Sequence, residues 1–585
     1  MEDLGSSHTS GLPAYIFGNF RLEPDGTLLR GEKLVKLSEG ELACLRLLIE
    51  QRGNLVSLAQ LGQAMENKSR VSDENVNQAI ASLRKHLGAE GLFKTVPNQG
   101  FRFTNDVQVL AEAQPAALPH IAMLPLVTEF GVAEYLGIAV TEGAMDRLAR
   151  RKPAVCTLAA EESVATLARR GLSAVEIGRA MHADMVLTGS LRVLPTHHRM
   201  RAEMIDVENG LPIWTEDVIV ERSRVAGLET ELARLISFRL EGESVTISAS
   251  AEHDEAEADE PVHREAHELY QRARFEWQSL ERHRMQDAVQ HLTRAGELDP
   301  SLAAARIDLA HLAITEAYHG YLSPAIAVDM VRRATRQGFE NIPGHEAILP
   351  AVGWIDFHYD RNLRSALDAF ARSAHLPHDP WITRARVMLD LSRRRFEESA
   401  QILQHALHSD PYSSWLHARL AWTYHMMGDA AASTREINAS LLQFPLHEGV
   451  ELYAGIILAF NGEVDRAVKL ARALEQRRPY FDPAVAVHAY ALAVAGQNDE
   501  ALSILDRLEW MGRERYVMTS LSAAVYLVLG DRDRALTELE TANEARCPWF
   551  FQALADPRLA PLHDAPKFRA LDQILGDLEH SAKGN

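Results

Sequence analysis

Asn77, Gln78, Arg84 and Lys85 fall on one side of a helical wheel drawn from Ser72 to Leu87, with Glu74 and Ala81 among them. Val76, Ile80, Leu83 and Leu87 form the opposite, apolar stripe. A side-chain carboxamide donates and accepts together, which matches the major-groove edge of adenine, whereas guanidinium and ammonium groups neutralise phosphates. The polar side therefore combines base-edge chemistry with phosphate chemistry. A few residues on, Phe93-Lys94-Thr95-Val96 and Phe101-Arg102-Phe103-Thr104 flank Pro97-Asn98-Gln99-Gly100. Two alternating runs around such a turn read as a hairpin, which would present Lys94, Asn98, Gln99 and Arg102 beside the helix. The plain alternative for Asn77 and Gln78 is a solvated helix surface, and for Arg84 an ion pair to a neighbouring helix. Gly100 reads most simply as a backbone requirement of the turn, because glycine reaches positive φ without side-chain strain.

The chain of 585 residues carries a formal charge of −20, which at first opposes a polyanionic partner. Charge acts locally, however. Residues 68–104 hold Lys68, Arg70, Arg84, Lys85, Lys94 and Arg102 against Asp73, Glu74 and Glu90, a net of +3. Acid is concentrated elsewhere. The stretch AEHDEAEADE at 251–260 has six carboxylates and no large apolar side chain, so it reads as a flexible linker. No run approaches the roughly 18 apolar residues of a membrane span. MEDLGSSHTS lacks the basic start and apolar core of a signal peptide. Cys44, Cys156 and Cys547 are too far apart for a local metal knuckle or a disulfide framework. A cytoplasmic protein with no membrane contact is expected.

Catalytic signatures are missing from the same sequence. His197-His198, His375 with His378, and His405 with His408 form no His-Glu-x-x-His pattern and have no cysteine partner. Gly189-Ser190 stands outside any Gly-x-Ser-x-Gly elbow, and neither a phosphate-binding loop nor a dinucleotide fingerprint is found. The expectation is a non-enzyme with no catalytic residue, cofactor or metal.

Helix and hairpin need a domain to hold them. Residues 13–37 alternate around Pro24-Asp25-Gly26, as short antiparallel strands do. From Ser38 to Glu50 the period turns helical: Leu42, Leu45, Leu48 and Ile49 share a face, Ser38 caps, and Glu41 completes a capping box before Gly53. Leu55 to Met65 gives a second helix, and Ser72 to Leu87 a third that Gly88 ends. The pieces FGNFRLEPDGTLLRGEKLVKLSEGELACLRLLIEQRGNLVSLAQL, VSDENVNQAIASLRKHLG and FKTVPNQGFRFT stand in one order across residues 14–104. In that order and spacing they resemble the winged-helix DNA-binding domain of OmpR-type regulators, of the ToxR, CadC and HilA group. The resemblance implies that the third helix enters a major groove and that the hairpin around Asn98 and Gln99 approaches a minor groove or the backbone. Ala81 and Ser82 replace residues often basic in that group, and a common tryptophan near Met65 is missing. No receiver domain is expected ahead of the first strand, so aspartyl phosphorylation within the chain is not the expected control.

After an Ala/Pro-rich connector at 111–119, Ile121 to Pro125 reads as a strand, and Tyr135–Arg150, Glu161–Arg169 and Ser173–Met181 read as helices. Three strands follow, Met185–Val193, His198–Asp206 and Ile213–Val220, with a polar turn at Glu208-Asn209-Gly210. IAMLPL, EYLGIAVTEGAMDRLAR, ADMVLTGSLRV and RAEMIDVENGLPIWTEDVIV resemble the TolB N-terminal-like domain, which implies a sensory, interaction or spacer role. Trp214 is expected in its core rather than in a ligand groove.

Gly428, Gly462, Gly496 and Gly530 are spaced by 34 residues. Ala421, Gly455, Ala489 and Ala523 precede them by seven, and Ser433, Ala467, Ala501 and Ala535 follow by five. Ile437, Ala471, Leu505 and Leu539 fill the next turn. An earlier copy meets Arg394, Ser399, Leu403, Ala406 and Pro411, and a still earlier one Ala288, Leu292, Ala295 and Pro300. A fixed period with small residues where helices meet marks stacked helical hairpins. WLHARLAWTYHMMGDAAASTREINASLLQFP and AVAVHAYALAVAGQNDEALSILDRLE resemble tetratricopeptide repeats, which implies a right-handed solenoid with a concave partner-binding face. The frame breaks at 319–365, near Gly344 and Gly353. Residues 547–578 are expected to cover the last apolar edge.

The expected fold is multidomain α+β. It comprises a winged helix at 12–106, a linker at 107–118, an α/β domain at 119–242, an acidic linker at 243–261 and a tetratricopeptide-like solenoid with a C-terminal cap at 262–585. The expected function is sequence-specific transcription regulation on double-stranded promoter DNA. The other domains would serve oligomerisation, a protein partner or a small-molecule effector. Two alternatives stand beside it: an interaction scaffold without DNA affinity, and a regulator with an unrecognised small-molecule or enzymatic site.

Overall fold

The computed structural model describes residues 14–583 except 24–25, 31–32, 52, 66–70, 88–91, 98, 105–106, 111–117, 130–131, 152, 222–226, 242–260, 278–280, 336–344, 375 and 377–379. Pro24 and Asp25, Lys68, Arg70, Gly88, Glu90, Asn98, His375, His378, Gly344, residues 111–117 of the first expected linker and nearly all of the second thus lie outside the described residues. Two compact units divide the chain, Met1–Leu118 and Pro119–Asn585.

In the first unit, strands β1 (Ala14–Phe17), β2 (Phe20–Leu22), β3 (Leu28–Arg30) and β4 (Lys33–Val35) form a meander. Its other edge is β8 (Val107–Leu110), antiparallel to β1. The expected linker therefore begins in a strand: Val107 to Leu110 satisfy their backbone groups on Ala14 to Phe17. Helix α1 (Glu39–Glu50) starts at the Ser38–Glu41 capping box, with Leu45, Leu48 and Ile49 buried. Helix α2 is Leu58–Met65, shorter than expected, because Leu55–Val56 is instead strand β5. Ser57 and Gln60 bond each other's backbone N–H and so start the helix after that strand. Helix α3 is Asp73–Leu87. Strands β6 (Phe93–Val96) and β7 (Gly100–Phe103) form the hairpin, and β5 extends it to a three-stranded sheet in the order β5-β7-β6. Phe17, Phe20, Phe93 and Phe103 join both sheets to the helices in one core.

The second unit opens with an α/β layer. Its sheet runs β11 (Thr157–Leu158), β9 (His120–Met123), β12 (Met185–Val193), β13 (His197–Asp206), β14 (Pro212–Glu221), and β10 (Val127–Thr128) also pairs with β12. Helices α4 (Glu134–Arg150) and α7 (Gly227–Glu241) pack on one face, and Trp214 is half-buried against their core. Helices α5 (Glu161–Arg169) and α6 (Ala174–Ala180) bury Val164, Leu167 and Ile177 beside Ala122 and Val186.

Successive hairpins follow. They are α8 (Pro261–Trp277) with α9 (Arg282–Leu298), α10 (Ala303–His319) with α11 (Pro324–Ala334), and α12 (Leu349–His358) with α13 (Leu363–Ser373). Next come α14 (Pro380–Ser392) with α15 (Phe396–Ser409), α16 (Ser414–Met426) with α17 (Ala430–Gln443), and α18 (Glu448–Phe460) with α19 (Val464–Arg477). The last are α20 (Asp482–Val494) with α21 (Asn498–Gly512), and α22 (Ser522–Val528) with α23 (Arg532–Glu544). Gly428, Gly462, Gly496 and Gly530 all turn with φ between +75° and +94°. A Cβ would meet nothing within 4 Å there, so conformation and not crowding calls for glycine. Arg394 takes the same left-handed turn one repeat earlier, at φ +62°. At Gly455 crowding does decide, because a Cβ would lie 2.6 Å from Val487 Cγ1. The hairpin pattern continues through the stretch where the sequence frame breaks.

The C-terminal segment does more than cap an edge. Trp549 packs against Tyr318, Trp422 and Tyr453, on the first helices of three different hairpins, and its indole N–H donates to the Tyr318 carbonyl at 3.1 Å. Helix α24 (Phe550–Ala555) stacks Phe551 on Phe357, and Gln552 accepts from the Trp422 indole at 3.2 Å. Asp556 is buried with Arg558, whose guanidinium lies over Tyr490. Residues 549–562 thus cover apolar side chains on the first helices of several hairpins, because the run Trp549-Phe550-Phe551 supplies the apolar bulk that those helices bury.

The α/β layer and the hairpins share contacts across the expected acidic linker. Tyr412 N–H donates to Ser163 Oγ at 2.8 Å, Ser163 donates to Asp410, and Glu162 pairs with Arg384 at 3.2 Å. Arg274 of α8 meets Glu142 of α4 at 3.1 Å.

Candidate nucleic-acid interface

Helix α3 buries Val76, Ala79, Ile80, Leu83 and Leu87, and this leaves Glu74, Asn77, Gln78, Ala81, Arg84 and Lys85 exposed. The helix is held from behind by Glu41 of α1. Burial opposes ionisation of that carboxyl, yet hydrogen bonds from Ser82 and Ser38 and the nearby His86 hold it below the usual range. Asn77 Nδ2 donates to the Asp73 carbonyl at 2.9 Å, so its amide lies along the helix and must rotate to reach a base. Gln78 and Lys85 make no ion pair or side-chain hydrogen bond among the described residues.

Arg84 is placed differently from the expectation of a free phosphate ligand or a helix-to-helix ion pair. Its Nη2 donates to the Phe93 carbonyl at 3.2 Å and to Thr95 Oγ1 at 2.8 Å, and the guanidinium stands 5.8 Å from the Phe101 ring centroid. It ties the end of α3 to the hairpin and thereby fixes the angle between the two surfaces. Thr95, not singled out in the sequence, is part of that tie. A threonine acceptor eleven residues beyond an arginine leaves no recognisable pattern.

On the hairpin, Lys94 and Arg102 are directly opposed across β6 and β7, and both are exposed. Among the described residues neither makes an ion pair. Gln99 is exposed at the tip. Gly100 is buried at φ +141°, and a Cβ there would stand 2.0 Å from the Val56 carbonyl oxygen. The glycine thus lets β7 lie against β5, which extends the turn requirement read from sequence. Asn77, Gln78, Ala81 and Lys85 share one convex face, and Lys94 and Arg102 form a second patch fixed to it through Arg84. Cys44 lies behind both in the core, where burial pushes its thiol up to about 11 and keeps it unreactive. No cluster of three or more metal-ligating side chains occurs among the described residues.

Residues 31–103 match the family described as "Transcriptional regulatory protein, C terminal". Nearly the whole chain is similar to the transcriptional regulator HilA of Salmonella typhimurium (strain LT2), with 22% identity over 561 residues, 94% of this chain and 98% of that relative. Among solved structures it is similar to the DNA-binding domain of E. coli CadC, at 22% identity and a TM-score of 0.16, covering 17% of this chain and 97% of that one. It is also similar to a tetratricopeptide repeat protein from Parabacteroides merdae, at 13% identity and a TM-score of 0.29, covering 54% of this chain and 99% of that one.

Proposed function

We propose that this chain, a DNA-binding transcription regulator with a winged-helix domain of the transcriptional-regulator C-terminal family, reads promoter DNA through α3 and anchors on backbone through the β6–β7 hairpin. The observation that carries the assignment of surfaces is the pair of exposed, opposed cations Lys94 and Arg102, held by Arg84 beside the amides of α3. Asn77 and Gln78 would read base edges. Lys85, Lys94, Arg102 and the hairpin tip at Asn98 and Gln99 would contact phosphate or groove walls, with Ala81 making close apolar contact in the groove.

The second unit would receive the signal and bring copies together. Because residues 549–562 cover the first helices of several hairpins, a protein partner or small effector would be met on the second helices or on the α/β sheet. No helix among the described residues is long and apolar enough to cross a membrane. The proposed place of action is the cytoplasm.

Footprinting of the full chain on the promoters whose expression changes when it is removed tests this reading. Discrete protected tracts that fade with salt are expected. Absence of protection at low salt would favour the scaffold alternative.

A further inference from the structure

Strand β14 ends its sheet: among the described residues it pairs with β13 and with nothing on its other side. A strand of ten residues in this position turns about half of its N–H and C=O groups outward, a template for another strand. Edges are ordinarily blunted by lysine, proline, a bulge or a covering element. Pro212 and a bulge at Ile213 blunt the start of the strand, but from Trp214 to Glu221 there is no lysine and no proline, and the register with β13 runs unbroken. Ile213 and Ile219 are 51% and 61% exposed.

We propose that β14 is the surface through which two copies of this chain associate, by antiparallel pairing that continues the sheet across a two-fold axis at Glu216. The strand is its own complement in that register. Trp214 meets the partner's Val218, the exposed Ile219 stands beside the partner's Ile213 at the bulge, and Thr215, whose hydroxyl donates to Glu203 of its own subunit at 3.2 Å, stands beside the partner's Asp217. An aromatic residue opposite a β-branched one, as Trp214 is opposite Val218, is among the pairs that stabilise adjacent strands.

Charge is arranged to permit the approach. Asp217 is held by Arg199 at 2.7 and 3.1 Å, and Glu216 is paired with Arg239. Both carboxylates along the middle of the edge are therefore neutralised within their own subunit. The two Glu216 side chains would meet at the axis as part of an alternating set of four charges with the two Arg239 groups. A free acidic edge would repel its copy, and this one does not.

This inference names the surface for the assembly included in the proposed function, and its test contains no DNA, so a failure of DNA recognition would leave it standing. Light scattering of the full chain is expected to give the mass of two chains, and Ile219→Lys the mass of one with unchanged circular dichroism and melting, since Ile219 is exposed. Glu216→Cys is expected to cross-link reversibly under mild oxidation. Ile213→Cys is not, because its two copies would lie about 20 Å apart, six residues along paired strands. A monomer at the highest soluble concentration, a dimer unaffected by Ile219→Lys, or a dimer in which Glu216→Cys fails to cross-link would each overturn the proposal.

Discussion

Lys94 and Arg102 face one another across the β6–β7 ladder with both side chains exposed, two cations in a single cross-strand pair. Like charges so placed cost the free domain about 0.2–1 kcal/mol. A phosphate between them would reverse that sign. Lys94→Ala is therefore expected to leave the winged helix equally or slightly more stable while weakening binding to all duplexes alike and lowering the salt slope by about 0.9. Paired thermal melts and salt titrations check both halves, and an unchanged slope would remove Lys94 from the backbone contacts.

Arg84 and Lys85 should separate in the same assays. Arg84→Ala removes two hydrogen bonds to the hairpin and is expected to cost about 1–2 kcal/mol of domain stability. Lys85→Ala should stay within about 0.5 kcal/mol of the parent in stability, as an exposed surface change does. It should still reduce DNA affinity. Chemical denaturation beside a binding titration distinguishes the two, and equal stability losses would contradict the tie through Arg84.

A pH effect is expected where the α/β layer meets the repeats. Burial pushes the Asp410 carboxyl up to about 6, against the hydrogen bond from Ser163 and with Glu162 adding to the rise. A carboxyl in an unfolded chain titrates near 3.9, so the folded state holds this proton more tightly. Its stabilising contribution is present below about pH 4 and is lost as pH rises through about 6. Asp410→Asn should therefore raise folding stability at pH 7.5, by an amount on the order of 1 kcal/mol, and change little at pH 4. A variant less stable than the parent at pH 7.5 would count against this.

The sequence made the local devices readable. Ser38 with Glu41, the apolar stripe of α3 and the four glycines spaced by 34 residues each act through neighbours within a few positions, and each appears as expected. Long-range pairings were hidden. Strand β5 is only Leu55–Val56, too short to show a period of two, and it exists because β7 lies beside it. Strand β8 is likewise fixed by β1, some ninety residues earlier. Arg84 reads as an exposed cation on a wheel, and only the folded hairpin shows its acceptors at Phe93 and Thr95. The run Trp549-Phe550-Phe551 did carry a signal, since three consecutive aromatics are more than an edge cap needs.

The most direct test of the central claim is a comparison of full-length parent and Asn77→Ala, Gln78→Ala proteins on a footprinted site and its single-base variants, at one salt concentration. The account predicts that the doubly substituted protein still binds duplexes but loses discrimination of about 1–3 kcal/mol at particular adenine positions. An identical ranking of all variants by both proteins would contradict base reading by α3.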